Sequence, residues 1–258
     1  MLKSVLTSGK WLSFLFLLLI LSGCKKENLC DCIKSTGNDV TSDRPASPFN
    51  TIQLEGKIDL VLTQDTIEHI TVVAGKHLID NIETSISGST LLIRNHNMCN
   101  FVRSYGRRIT VYASVHRFSH LLYNGAGDVR STNTLLALGS DSTLYIQSDD
   151  GSGNVNLNVN AKILNSTINT GPGNITLTGM ASTMNLRGTG FGVLNTTGLT
   201  CPHINLTNDA VSDMYVAINT PAASYLNAQV YNNGNVYCKG RPSTLIQVVK
   251  GNGKLYFQ

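Results

Sequence analysis

The chain has 258 residues, of which 14% are charged and 23 are glycine, and its formal net charge is +4. That length suits one elongated domain or two small ones, and nothing global in the charge points at nucleic acid. Helical periodicity is absent beyond the N-terminal apolar run, so the remaining chain reads as all-β.

Lys3 and Lys10 precede an apolar run from Trp11 to Leu21, which ends in Leu21-Ser-Gly-Cys24. A basic start, a short apolar stretch and small residues at the cut describe an export signal over residues 1–23, and the run is shorter than the roughly 20 residues a bilayer-spanning helix needs. An uncleaved anchor helix is the blander reading. Leu21 to Cys24 resembles the lipobox of bacterial lipoproteins, which makes Cys24 the expected lipidation site. Cleavage there removes Lys3, Lys10 and the only tryptophan, leaves 235 residues and lowers the formal charge to +2. The expected address is therefore the cell envelope, as an outer-membrane lipoprotein facing the periplasm or the surface.

Residues 24–48 are rich in Lys, Asn, Asp, Ser, Thr and Pro and are expected to form a flexible tether. The expected folded domain spans residues 49–258, with 49–123 and 124–258 as conceivable sub-parts. Besides Cys24 the exported chain carries Cys30, Cys32, Cys99, Cys201 and Cys238, in a compartment that permits disulfides. Cys201 with Cys238, and a tether cysteine with Cys99, are the bridges left open, because spacing does not fix connectivity.

The folded part begins with Ile52 and Leu54, then Ile58, Leu60 and Leu62, alternating around the turn Glu55-Gly-Lys57. Short strands follow at Ile70 to Ala74 and Thr90 to Arg94, with Ser87-Gly-Ser89 as the turn before the second. Asn95 to Arg108 is polar and reads as a loop, and Ile109 to Val115 is another strand.

From Asn124 onward one phrase recurs: Asn124-Gly-Ala-Gly-Asp-Val129, Asp150-Gly-Ser-Gly-Asn-Val155, Thr170-Gly-Pro-Gly-Asn-Ile175 and Thr189-Gly-Phe-Gly-Val-Leu194. The first glycines lie 26, 20 and 19 residues apart. A unit of that size cannot bury its apolar face without neighbours above and below, so the repeat predicts stacked β coils. Each phrase reads as a bend entering a strand, since glycine reaches positive φ without steric cost. Beyond each bend the pattern alternates, as in Val155, Leu157 and Val159 between Asn154, Asn156, Asn158 and Asn160. It continues loosely through Ile204, Leu206, Met214, Val216, Ile218, Val230, Val236, Ile246 and Val248. The glycines lack the third glycine and following helix of a dinucleotide-binding turn, so no cofactor is expected.

The strand Ile109 to Val115, the pair Leu121-Leu122, the recurring Gly-x-Gly phrases and a closing Gly234-Asn-Val-Tyr-Cys-Lys-Gly-Arg-Pro242 together resemble the head GIN domain family, over roughly Phe49 to Pro242. The chain departs from the family pattern at His116, where proline is usual, and in Thr-Gly-Pro-Gly and Thr-Gly-Phe-Gly, where Ser-Gly-Ser-Gly is usual. The resemblance implies a parallel, solenoid-like β fold and an adhesin role, and it carries over no catalytic residues. The fold expected is a right-handed parallel β-solenoid, a β-helix-like stack of short strands with Gly-x-Gly corners.

Candidate chemistry is sparse. Asp149-Asp150, Asp128, Asp141, Asp209 and Asp213 sit at bends, where Asp usually caps its own backbone. No His-x-x-x-His pair lies on a predicted helix with an acid nearby to orient it, and no Gly-x-Ser-x-Gly elbow occurs. One region without Asp or Glu concentrates Arg94, His96, Arg103, Arg107, Arg108, His116 and Arg117, with Phe101 and Tyr105 among them. Arg94, Arg103, Tyr105, Arg107, Arg108 and Arg117 are the candidate contacts for an anionic glycan, headgroup or acidic partner, against the blander reading of a solvated loop. The expected function is a non-enzymatic, lipid-anchored adhesin or binding module for glycan or protein. A solenoid-type polysaccharide-processing enzyme and a structural envelope component are the alternatives. Expected partners are the membrane through the N-terminal lipid and a glycan or envelope protein; the oligomeric state is open.

Overall fold

The computed structural model describes residues 35–97, 108–137, 142–220 and 224–258. The signal segment, Cys24, Cys30, Cys32, Cys99, Arg103, Tyr105, Arg107 and Asp141 lie outside the described residues.

The described chain is all-β, with one 3-10 turn at Ile79–Asn81. In order the strands are β1 (Asp39–Arg44), β2 (Thr51–Gly56), β3 (Asp59–Gln64), β4 (His69–Gly75), β5 (Ile82–Ser87), β6 (Thr90–Asn95), β7 (Thr110–Val115), β8 (His120–Gly125), β9 (Val129–Leu136) and β10 (Thr143–Ser148). Then come β11 (Asn154–Ile168), β12 (Asn174–Gly188), β13 (Leu194–Thr200), β14 (His203–Asn208), β15 (Met214–Ala217), β16 (Tyr225–Val230), β17 (Val236–Lys239), β18 (Thr244–Val249) and β19 (Leu255–Phe257).

Two ladders run side by side, and the chain alternates between them. One passes through β6, β2, β8, β10, the second half of β11, the second half of β12, β14, β16 and β18, all parallel. The other passes through β7, β3, β9, the first halves of β11 and β12, β13, β15, β17 and β19, also parallel. Registered residues from β11 onward are 19 to 22 positions apart, as in Asn154 with Asn174, Ile175 with Leu194, Leu194 with Met214 and Met214 with Val236. At about 4.8 Å per layer the stack is roughly 40 Å long.

Inward residues form one core between the ladders. Val129, Val155, Ile175, Leu194, Met214 and Val236 follow one another in register, and each is buried. Each such side chain contributes about 1.5–3 kcal/mol when withdrawn from water. The interior place in β13 belongs to Leu194; Val193, one residue earlier, is half-buried and accepts the Ile175 amide through its carbonyl at 2.9 Å.

The glycine phrases lie in the bends between the ladders. A Cβ on Gly127 would overlap the carbonyl oxygen of Ile58, one on Gly153 that of Gly127, and one on Gly192 that of Gly173. The second glycine of each phrase is thus required by close backbone approach between layers rather than by its own φ. The opposite bends in β11 and β12 need no glycine, because the strands continue through Lys162 and Ser182, where pairing skips one residue.

Four features differ from the sequence expectation. The tether ends early: Asp39–Arg44 is a strand, antiparallel to β4 with Asp39 opposite Gly75, and Arg44 donates to the Ile79 carbonyl at 2.9 Å. Its six residues offer only Val40 as an apolar signal, so main-chain pairing on an edge supplies what hydropathy does not display. The first layer is not the first in sequence: β2 and β3 lie between β6–β7 and β8–β9, and antiparallel β1, β4 and β5 close that end. Through these ladders and the pairing of β8 with β10, strands of residues 49–123 pair with strands of residues 124–258. Cys201 and Cys238 are both buried and free, not bridged. Finally, Ile246 and Val248 do not belong to the interior set. They register with Asn227 and Gln229, on the outer surface, while Leu245 and Val249 follow Leu226 and Val230.

Candidate functional site

The basic cluster of the sequence is divided in space. Arg94 is the penultimate residue of β6, Arg108 precedes β7, and Arg117 follows β7, whose six residues span roughly 20 Å. Arg94 Nε donates to Glu55 Oε2 at 2.6 Å, and this bond, more than the accompanying charge attraction, holds the Glu55 carboxyl below its ordinary range. Arg108 reaches Asp59 at 3.0 Å and Asp128 at 3.3 Å, with the Asp59 bond raising the guanidinium pKa most. Asp128 also accepts the main-chain and side-chain amides of Asn154, and the main-chain bond is the chief reason its pKa is lowered. His96 Nε2 lies 2.7 Å from Glu83 Oε2 and His69 Nε2 lies 3.4 Å from Asp43 Oδ1. The acids missing from the local sequence therefore arrive from other strands, and they neutralise Arg94 and Arg108. Arg117 is exposed. No group of three or more His, Cys, Asp and Glu side chains suited to a metal exists among the described residues.

A different surface emerges on the outer side of the β10–β18 ladder. Asn165, Asn185, Asn205 and Asn227 register in one column, and Thr167, Arg187, Thr207 and Gln229 in a second, two residues along each strand. Asn185 Nδ2 donates to Asn165 Oδ1 at 2.9 Å and Asn205 Nδ2 to Asn185 Oδ1 at 3.0 Å. The amides are thus held in one orientation by stacking, in the manner of an Asn ladder. At the far end Asn227 Oδ1 is buried and has no partner. The columns line a shallow groove of about 240 Å³. Tyr145, whose ring is exposed, registers with Asn165 beside one end of the groove, and the exposed Ile246 registers with Asn227 beside the other.

The arrangement presents amide and hydroxyl groups at about 4.8 Å intervals along the stack and about 6.8 Å across it. One cation, Arg187, stands in the second column. What such a surface offers chemically is a row of repeated, modest hydrogen-bonding groups. The sequence reading missed these residues, although the signal exists: Leu164-Asn-Ser-Thr167, Met184-Asn-Leu-Arg187, Ile204-Asn-Leu-Thr207 and Leu226-Asn-Ala-Gln229 recur at intervals of 20, 20 and 22.

The other ladder carries Tyr215, Tyr237 and Tyr256 in register, with ring centroids 5.1 and 5.2 Å apart and planes 12° and 16° from parallel. These rings cover one another's faces, so the column mainly stabilises the stack.

The family model described as "putative auto-transporter adhesin, head GIN domain" matches residues 48–242, and the chain belongs to that family. Among solved structures it is similar to a putative adhesin from Bacteroides fragilis NCTC 9343, at 20% identity and a TM-score of 0.76, covering 86% of this chain and 97% of that one. It is also similar to a putative lipid binding protein from Parabacteroides distasonis ATCC 8503, at 16% identity and a TM-score of 0.62, over 86% and 98% of the two chains. A putative adhesin from Parabacteroides merdae ATCC 43184 matches over the same shares at 18% identity and a TM-score of 0.57. At these identities the likeness speaks for the fold. No curated protein matches the chain.

Proposed function

Starting from membership of the head GIN domain family, we propose that this protein is a lipid-anchored envelope adhesin that grips an extended glycan along the Asn165–Asn227 column. The two ladders are read as faces of one right-handed β-solenoid, the hand that parallel crossover connections nearly always take. Its Gly-x-Gly phrases are the corners, and Cys24 carries the lipid that holds it at the outer membrane.

The observation that supports the glycan reading is the pair of registered columns. Amide and hydroxyl groups repeat layer by layer, oriented by their own ladder bonds, beside the open ring of Tyr145. A long ligand gathers many weak contacts on such a face, where a deep pocket would suit a small one. Arg187 adds a preference for sugars with an anionic substituent. Arg108 contributes little, since it is already engaged by Asp59 and Asp128.

A glycan array probed with the protein tests this reading. Binding should be lost in an Asn185→Leu/Asn205→Leu variant and kept when Arg103, Arg107 and Arg108 are replaced by alanine. The reverse pattern would move the site to the basic loop, and no bound glycan at all would remove the adhesin reading in this form. Membrane fractionation of a Cys24→Ser variant tests the anchor separately, with release to the soluble fraction expected.

A further inference from the structure

The last layer of the stack departs from the layers before it. In β14 and β16 the outward residues are polar and the inward ones buried. In β18 the outward Ile246 is 48% exposed, and the nominally inward Leu245 and Val249 are each 42% exposed. A strand apolar on both sides is the pattern of a strand with neighbours on each edge and cover on each face. Among the described residues β18 pairs only with β16.

The free edge can be assigned atom by atom. The amides of Thr244 and Lys250 donate back to Ser224 and Val230. Amides alternate in direction along a strand, so those of Ile246 and Val248 point the same way. The amides of Leu245, Gln247 and Val249 then face the open side. The surroundings are cationic: Lys239, Arg241, Lys250 and Lys254 flank the two terminal strands, and residues 214–258 contain no Asp or Glu. Arg241 lies over the Phe257 ring at 4.9 Å and Lys250 over the Tyr231 ring at 5.8 Å, which holds both charges at the end of the stack.

We propose that β18 is an acceptor edge for an extended acidic segment of another protein, which adds to the sheet as one more strand. Its main chain would engage the amides of Leu245, Gln247 and Val249, its apolar side chains would cover Leu245 and Val249, and its carboxylates would meet Arg241 and Lys250. Recognition of this kind takes affinity from main-chain bonds and selectivity from alternate side chains. A second copy of this chain is the poorer occupant, because residues 214–258 hold no Asp or Glu and pairing of β18 with itself would bring cations together and leave each without an acid. The edge lies at the opposite end of the stack from β1. The inference is independent of the glycan reading, since the groove and this edge share only Ile246.

The test uses the whole chain and two labelled synthetic peptides, one alternating Glu with Val and Phe and one alternating Lys with Val and Phe. Fluorescence anisotropy should give saturable binding of the acidic peptide and at least about tenfold weaker binding of the basic one, a difference of about 1.4 kcal/mol. Hydrogen exchange should slow at Leu245, Gln247 and Val249. A Gln247→Pro variant removes only an outward amide, which edge strands tolerate, and should abolish binding with the denaturation midpoint little changed. Equal binding of both peptides, binding that survives Gln247→Pro, or no binding would overturn the proposal. So would a concentration-dependent dimer lost in Gln247→Pro, which would assign the edge to a second copy.

Discussion

The Tyr123 hydroxyl donates to the Gly127 carbonyl at 2.6 Å and accepts the Gly153 amide at 2.9 Å, tying together two successive glycine bends 26 residues apart. Its ring fills the space that a Cβ on Gly125 or Gly151 would need. Glycine and tyrosine are thus two halves of one packing solution. The bends are emptied of side chains so that one buried ring can occupy them, and its hydroxyl serves main-chain groups that would otherwise be unpaired.

Replacing Tyr123 by Phe should therefore destabilise the chain by about 1–3 kcal/mol, the cost of leaving buried polar groups without a partner, as read by urea denaturation. Burial also pushes the Tyr123 pKa up to about 12 from its ordinary 10.0. The unfolded chain loses this proton first, so the stability is complete below about pH 10 and falls as the pH rises towards about 12. Tyr123→Phe should flatten that alkaline decline; an unchanged slope would mean the ring is not buried as described.

Glycines of two kinds should respond differently to alanine. Gly192→Ala forces a methyl group onto the Gly173 carbonyl and should cost about 3 kcal/mol or more. Gly88 has open space around it and a φ of +60°, so Gly88→Ala should cost only about 1–2 kcal/mol of local strain. Paired denaturation curves check the ranking, and equal costs would contradict close stacking at Gly192.

Cys201 and Cys238 should resist alkylation by iodoacetamide in the native protein and react once it is unfolded. Burial raises both thiols to about 11, so the reactive thiolate is scarce as well as covered. Mass spectrometry under native and denaturing conditions reads this directly, and rapid native labelling of either residue would contradict the interior placement.

The carboxyls of Glu55 and Glu83 are held below their ordinary range, by the hydrogen bonds from Arg94 and His96 respectively. A lowered carboxylate pKa contributes stability above the unfolded value, and that contribution is lost as the pH falls below about 4.5 and passes the folded value. Acid titration of Glu55→Gln should show a shallower loss than the parent chain over that window. An identical acid limb would mean that the Arg94 bond does not persist in solution.

What the sequence displayed was whatever repeats locally. The Gly-x-Gly phrases and the alternation in Val155, Leu157 and Val159 marked the bends and the inward set. They carried no trace of the pairing of β2 with β8 or β3 with β9, because those partners are 69 residues apart and share no period. The same distance hid the acids: Glu55, Asp59 and Asp128 neutralise arginines that looked unopposed in their own stretch. At β18 an alternating reading placed Ile246 and Val248 inside, one residue out of phase, since a strand apolar on both sides has no alternation to read. The Asn column was visible in principle, but asparagine at a period of 20 resembles ordinary surface polarity until the strands are laid in register.

The outer face of the β10–β18 ladder is the proposed seat of the glycan. The direct measurement is an NMR titration of the protein with the strongest glycan from the array, following the side-chain amide resonances of asparagine. Perturbations concentrated on Asn165, Asn185, Asn205 and Asn227, and lost in Asn185→Leu/Asn205→Leu, are the predicted result. Perturbations confined to Asn154, Asn156, Asn158 and Asn160 on the opposite ladder would contradict it.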